Sequence, residues 1–209
     1  MLKIGITGGI GTGKSEVCKI LEESGATVLY ADSIAKNLLD SDKSVKSQVK
    51  KIFGNEIYDQ NDRIDRKLLA KKIFLDSNLK RQLESIVHPV VINFILKAFQ
   101  EIEEKKDKTV VFVEAALIFE TGFNENLNYT IVVDSDIETC IARVMKRDKV
   151  SRDDVLNRIK FQVEQKEKIK LADFVIHNNS TIDELKKNVH FIYKLLLKIA
   201  EKNYGTKGT

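Results

Sequence analysis

The chain has 209 residues, of which 43% are hydrophobic and 32% charged, and its 35 Lys and Arg against 31 Asp and Glu leave a formal net charge of +4. That size and balance suit one sizeable core with an appended lobe, and they exclude a disordered chain. No apolar run approaches the roughly 20 residues needed to span a bilayer, the opening residues lack a secretory pattern, and no dense aromatic and basic stripe points to nucleic acid.

Lys3-Ile4-Gly5-Ile6-Thr7 reads as a short buried strand, followed by a glycine-rich loop and a helix pattern from Lys14 to about Glu23. Thr27–Tyr30 reads as a second strand, ending at Ala31-Asp32. Positions 33–107 then form an almost wholly helical insertion, too long for an ordinary connection, with breaks predicted near Gly54 and again at Pro89, the only proline. Further strands are predicted at Thr109–Glu114, Tyr129–Asp134 and Phe174–His177. Between the last two lies a helical, basic excursion, 137–171. Within it, Ser151-Arg152-Asp153-Asp154 has capping-box spacing, so one helix ends near Lys149 and another begins after Ser151. Thr181-Ile182-Asp183-Glu184 repeats the signal ahead of a C-terminal helix, and Tyr204–Thr209 reads as a frayed tail. Cys18 and Cys140, the only cysteines, fall in different predicted helices with no zinc-like spacing, which fits a reduced compartment and a cytoplasmic setting.

Strands alternating with helices predict an α/β fold, a parallel sheet covered on both faces with ligands at the carboxyl ends of its strands. The rule gathers the glycine loop, Asp32, Glu114 and the segment after Asp134 around one crevice. Gly8-Gly9-Ile10-Gly11-Thr12-Gly13-Lys14-Ser15 fits the G-x-x-x-x-G-K-[ST] pattern between a strand and a helix. Backbone N–H groups from Gly11, Thr12, Gly13, Lys14, Ser15 and Glu16 would wrap a polyphosphate at the positive end of the helix. Lys14 would reach the β and γ phosphates, and the Ser15 hydroxyl would join a Mg²⁺ shell. ATP and Mg²⁺ are thus the expected ligands.

Asp32, just past a strand, is placed to accept the proton of an attacking hydroxyl, or alternatively to cap a helix starting near Ser33. Glu114 ends an apolar strand and either helps hold Mg²⁺ or is a solvated strand end. Arg143 and Arg147, four apart on one helical face, either neutralise charge on a transferring phosphoryl group or form a solvated basic face; Arg147 is the stronger candidate for catalysis. Arg158 and Gln162 share a face of the next helix. His88 beside Pro89 is read as structural or as an acceptor contact.

These motifs together resemble the dephospho-CoA kinase family. The resemblance covers nearly the whole chain and rests on Thr7 to Ser15, Ala31-Asp32, His88-Pro89, Glu114-Ala115-Ala116-Leu117-Ile118-Phe119-Glu120, Arg143-x-x-x-Arg147-Asp148, and Arg158-Ile159…Gln162…Ala172-Asp173…Val175-Ile176…Asn178. The chain departs from the family at Glu16, where many members carry Thr or Ser, and at Ala115-Ala116, where a proline is frequent. The resemblance implies transfer of the ATP γ-phosphoryl group to the ribose 3′-hydroxyl of dephospho-CoA, the final step of coenzyme A synthesis. It also implies a P-loop kinase core at about 1–32, 108–136 and 172–203, a helical CoA-binding lobe at about 33–107 and a lid at about 137–171. Asn178 would then lie near the adenine, though a turn asparagine is the alternative reading. The implied partners are small molecules alone, without nucleic acid or membrane, in a monomer or small homo-oligomer. Rival readings are a nucleoside-monophosphate type kinase and a nucleotide-switch protein; a guanine-reading N/T-K-x-D motif is absent from the sequence.

Overall fold

The computed structural model describes residues 1–106, 108–160 and 162–204, so the predicted tail lies, apart from Tyr204, outside the described residues. The chain divides into two units, Tyr30–Ala98 and the remainder, Met1–Leu29 with the chain from Phe99 on.

The larger unit is built on a parallel sheet. Its strands are β1 (Leu2–Thr7), β2 (Thr27–Tyr30), β3 (Val110–Glu114), β4 (Tyr129–Asp134) and β5 (Phe174–His177), in the order β2-β3-β1-β4-β5. All five residues of β3 are buried, as are five of the six in β1. Near-continuous burial is what parallel strands covered on both faces require, and it explains their unbroken apolar runs. The register brings the strand ends into line: Ile6 pairs with Glu114, Thr7 with Val132, and Asp134 with His177. The groups that follow β1, β3, β4 and β5 therefore share one edge of the sheet.

Helices of this unit are α1 (Lys14–Glu23), α6 (Ile137–Asp148), α7 (Arg152–Ile159), α8 (Gln165–Leu171) and α9 (Ile182–Tyr204). The predicted capping box at Ser151 is formed, with Asp154 N–H donating to the Ser151 hydroxyl at 3.2 Å and Ser151 N–H donating to the Asp154 carboxylate at 3.1 Å. A satellite apolar cluster joins Ile141 and Val144 of α6 to Val155 of α7, with Ile10 of the glycine loop packed against it. The ring of Phe112 in β3 meets Tyr193 of α9 at a centroid distance of 5.9 Å.

The smaller unit contains α2 (Ala31–Ser41), α3 (Lys43–Phe53), a short 3₁₀ turn at Asn55–Ile57, α4 (Arg66–Leu75) and much of α5 (Ser77–Lys105), which continues past the unit boundary. Asp42 caps α3 by accepting from Ser44 and Val45 N–H, each at 2.9 Å. Asp65 caps α4 in the same way, accepting from Lys67 and Leu68 N–H at 3.0 Å. Val45, Val49, Phe53, Ile57 and Ile64 are among its buried apolar side chains. Tyr58 donates to the Leu39 carbonyl at 3.0 Å, and burial, reinforced by Asp40 and Asp62, pushes its phenol up to about 12.

Two sequence expectations change. Gly54 does end α3, but Pro89 does not break the chain; it lies inside the continuous helix α5. Proline removes a single i to i−4 bond, and burial of Ile86, Val87, Val91 and Ile95 on both sides of it holds the helix together. By length and composition alone α5 is long and apolar enough to cross a membrane, although the sequence shows no unbroken apolar run of that length; the core helix of a soluble protein meets the same criterion. Its charged residues gather toward the two ends, and a helix tolerates the isolated ones that interrupt an apolar run. Finally, α2 begins at Ala31, so Asp32 lies within its first turn and does not cap it; the N-cap position is Tyr30, without a side-chain cap.

Phe112, in the middle of β3, is fully buried. Phe112→Ala is expected to cost about 3–5 kcal/mol through lost transfer energy and a residual cavity. Urea unfolding followed by circular dichroism checks this, and a loss below about 1 kcal/mol would mean that this position is not core.

Candidate active site

The loop between β1 and α1 is shaped by close backbone approach. Gly8 and Gly13 have φ of 146° and 96°, and a Cβ would overlap the Val133 carbonyl oxygen at Gly8 and the Asn178 amide nitrogen at Gly13. Only glycine fits both conformation and space at these points. Within the loop, Thr12 folds back on Gly9, its hydroxyl donating to the Gly9 carbonyl at 3.0 Å. The Lys14 ammonium donates to the Gly8 and Gly9 carbonyls at 3.0 and 3.1 Å, which holds the charge over the loop itself.

Side chains from distant parts of the chain hold the outer side of the loop. Asn178, following β5, donates its amide to the Thr12 carbonyl at 2.8 Å and is buried. Arg143 of α6 donates to the Gly11 carbonyl at 3.5 Å, to Ser135 Oγ at 3.2 Å and to the Asn178 carbonyl at 3.1 Å. Gln165 and Gln162 accept from Gly9 N–H at 2.9 Å and from Ile10 N–H at 3.0 Å. By contrast, the N–H groups of Gly11, Gly13 and Ser15 meet no protein acceptor among the described residues. Those three lie at or just before the start of α1, where the helix dipole adds positive potential.

Glu114 is buried at the end of β3. Burial, then the carboxylates of Glu114 and Glu22, raises the Cys18 thiol far above its usual range, while Lys14 opposes them. Glu114 and Lys14 therefore both lie within electrostatic reach of the same point on α1. The Cys140 thiol is also raised, mainly by burial, and both cysteines stay neutral. Glu114 and the exposed Ser15 hydroxyl offer the hard oxygens that a magnesium ion takes, and that ion keeps several of its own waters. No cluster of three His, Cys, Asp or Glu side chains suited to a metal occurs among the described residues, which is compatible with so sparse a shell.

The two arginines of α6 part company. Arg143 turns to the loop, whereas Arg147 donates to Asp148 at 2.7 and 3.1 Å and is 62% exposed. Arg158 of α7 donates to the same Asp148 carboxylate at 2.7 Å. The Arg147 bond, with that of Arg158, holds the Asp148 carboxyl below the usual carboxylate range. Glu16 sits in the first turn of α1. Asp32 and His88 belong to the smaller unit, the former exposed in the first turn of α2 and the latter inside α5.

Two groups that sequence reasoning left without a role, or missed, lie directly behind the loop. Lys168 of α8 is completely buried and meets Glu120 at 2.7 Å, while also donating to the Ala116 carbonyl at 2.9 Å. Ala116 receives the Thr7 hydroxyl as well, at 3.2 Å, and Glu120 accepts from Val163 N–H at 3.0 Å. Lys168 and Gln165 sit in the helical, basic stretch 137–171, where no local signal marks either one.

Comparisons with known proteins agree. The dephospho-CoA kinase family model matches residues 2–184. A dephospho-CoA kinase of Fusobacterium nucleatum subsp. nucleatum is 42% identical over 186 residues, covering 89% of this chain and 94% of that protein. Among solved structures, TT1252 from Thermus thermophilus has a TM-score of 0.77 at 32% identity, covering 93% of this chain and 97% of its own. Dephospho-CoA kinase from Campylobacter jejuni has a TM-score of 0.70 at 30% identity, covering 96% and 98%.

Breaking the buried ion pair leaves an uncompensated charge, so Lys168→Met is expected to cost about 3–5 kcal/mol. Adding Glu120→Met should recover much of that loss. Chemical denaturation of the single and double variants checks the sign, and equal stability of the single variant and the parent chain would show that the pair contributes nothing.

Proposed function

The chain belongs to the dephospho-CoA kinase family, and from that premise we propose how its residues transfer phosphoryl from ATP to the ribose 3′-hydroxyl of dephospho-CoA, the final step of coenzyme A synthesis. The observation that carries the reading is the contrast within the loop: the N–H groups of Gly9 and Ile10 are taken by protein side chains, while those of Gly11, Gly13 and Ser15 meet no protein acceptor among the described residues.

In this reading the backbone from Gly11 to Glu16 binds the phosphates of ATP. Lys14, with three donors on a flexible stem, exchanges its loop carbonyls for phosphate oxygens, a favourable trade because the new partners are charged. Ser15 and Glu114 would hold Mg²⁺, which supplies charge neutralisation on the β and γ oxygens when bound. Asp32, at the carboxyl end of β2, is the proposed base for the attacking hydroxyl; its exposure and its lack of a capping role support that assignment. Arg147 is proposed to leave Asp148 and meet charge developing on the transferring group, while Arg143 and Asn178 shape the loop and border the nucleotide. The helices α6 to α8 serve as the lid that excludes water, and the smaller unit binds the acceptor. Two buried, neutral thiols and a modest net charge support a cytoplasmic enzyme with small-molecule partners alone.

A coupled assay with ATP, Mg²⁺ and a panel of dephospho-CoA, AMP, CMP and shikimate should show dephospho-CoA turned over fastest, with phosphorus NMR placing the new phosphate on the ribose 3′-oxygen. Faster turnover of another acceptor, or a phosphate elsewhere, would refute the reading. Asp32→Asn should lower kcat by roughly 10²–10⁴ while leaving ATP binding nearly unchanged, because only positioned proton transfer is removed. Near-normal turnover in a stable variant would remove Asp32 from the chemistry.

A further inference from the structure

A phosphate-binding loop has to hold several N–H dipoles convergent in the absence of any ligand to organise them. Such a loop is strained by mutual repulsion and by backbone freedom, and something must fix it from outside. In this chain Gln165 bridges two structural parts. Its amide oxygen accepts from Gly9 N–H at 2.9 Å, and its amide nitrogen donates to the Val133 carbonyl at 3.0 Å and to Asp134 Oδ1 at 3.1 Å. The amide orientation is unambiguous. Turned over, it would set N–H against N–H and place an oxygen against two acceptors. Gln162 completes the pair through Ile10 N–H at 3.0 Å, and both amide oxygens lie over Gly9, 3.3 and 3.9 Å from the place of an added Cβ.

The helix that carries Gln165 is itself anchored. Three residues after it, fully buried Lys168 is tied to Glu120 and to the Ala116 carbonyl, and Glu120 also receives Val163 N–H between the two glutamines. The result is a connected path from the end of β3, through α8, to the first half of the loop and the end of β4. The Ile10 side chain is seated in the α6–α7 apolar cluster, so the same half of the loop is held by packing as well.

We infer that Gln165, with Gln162, is a positioning residue for phosphoryl transfer: the Gln165 amide ties Gly9 to β4 and the Gln162 amide oxygen holds the Ile10 N–H, so that the Gly11, Gly13 and Ser15 N–H groups are positioned for the nucleotide phosphates. The clamp touches neither acceptor nor reacting atoms. It acts through the loop, and so it bears on ATP and not on the second substrate. The inference rests on the kinase reading above for its kinetic part alone; the clamp itself is open to direct measurement.

The test uses the full chain with Gln165→Met and Gln162→Met, which keep side-chain length and remove the hydrogen bonds. Amide exchange at Gly9 and Ile10 should quicken by roughly tenfold or more, as expected when a closed amide loses its acceptor, while exchange in the central strands is unchanged. ATP binding by calorimetry should weaken, and kcat/KM for ATP should fall by roughly 10–100-fold with KM for dephospho-CoA unmoved, the signature of a misplaced binding loop. Because both amides act on one segment, the double variant should lose less than the product of the single losses. Unchanged exchange at Gly9 and Ile10 overturns the clamp, and quickened exchange with parental ATP binding and kinetics overturns its positioning role. Should Gln165→Met fail to fold, Gln162→Met alone decides, since its side chain makes only the Ile10 bond. Should the parent chain fail to phosphorylate dephospho-CoA, the kinase reading falls, while exchange and ATP calorimetry still judge the clamp.

Discussion

Binding a polyphosphate with backbone alone demands that a run of N–H groups go without protein acceptors on one side of a tight loop. Each such group, left unpaired, is a liability in a folded chain. The molecule meets this constraint by saturating the other side. Arg143 and Asn178 take the carbonyls of Gly11 and Thr12, and Gln165 and Gln162 take the N–H groups of Gly9 and Ile10. Among the described residues, the N–H groups of Gly11, Gly13 and Ser15 meet no protein acceptor. The loop is thereby ready for a ligand before one arrives, which lowers the ordering cost of binding.

The consequences spread outward through the larger unit. Gly8 has to be glycine because the loop starts hard against the Val133 carbonyl, and Gly13 because the Asn178 amide lies where a side chain would stand. Asn178 can reach Thr12 because β5 lies in register beside β4, with Asp134 opposite His177 and the Asn178 N–H bonded to the Asp134 carbonyl at 2.7 Å. Behind the loop, the Lys168–Glu120 pair costs desolvation to form. Its value lies in fixing α8 against the segment after β3, where Lys168 also donates to the Ala116 carbonyl and Glu120 accepts from the Val163 N–H.

The basic helices illustrate how equal residue types come to different tasks. Arg143 and Arg147 share one face of α6, yet one is drawn inward by carbonyl oxygens and the other outward by Asp148, which also takes Arg158. The inward arginine is part of the loop's support. The outward one remains exposed and is held by two bonds to Asp148, in a surface ion pair shared with Arg158.

The sequence by itself determined what rests on local signals. Glycines at fixed offsets marked the loop, apolar runs marked β3, β4 and β5, and capping residues marked the start of α7, because these preferences act within a few residues of one another. The same local logic misread Pro89 and the start of α2, since burial along α5 outweighed one lost hydrogen bond and α2 begins at Ala31, two residues before Ser33. The tertiary structure alone decided which polar side chains serve the loop. Gln165 and Asn178 lie 156 and 166 residues from the loop groups they hold, and Lys168 sits 52 residues from Ala116. Such pairings depend on which strands lie side by side and in what register, and a glutamine or lysine in a basic helix carries no local mark of the partner that packing will bring to it.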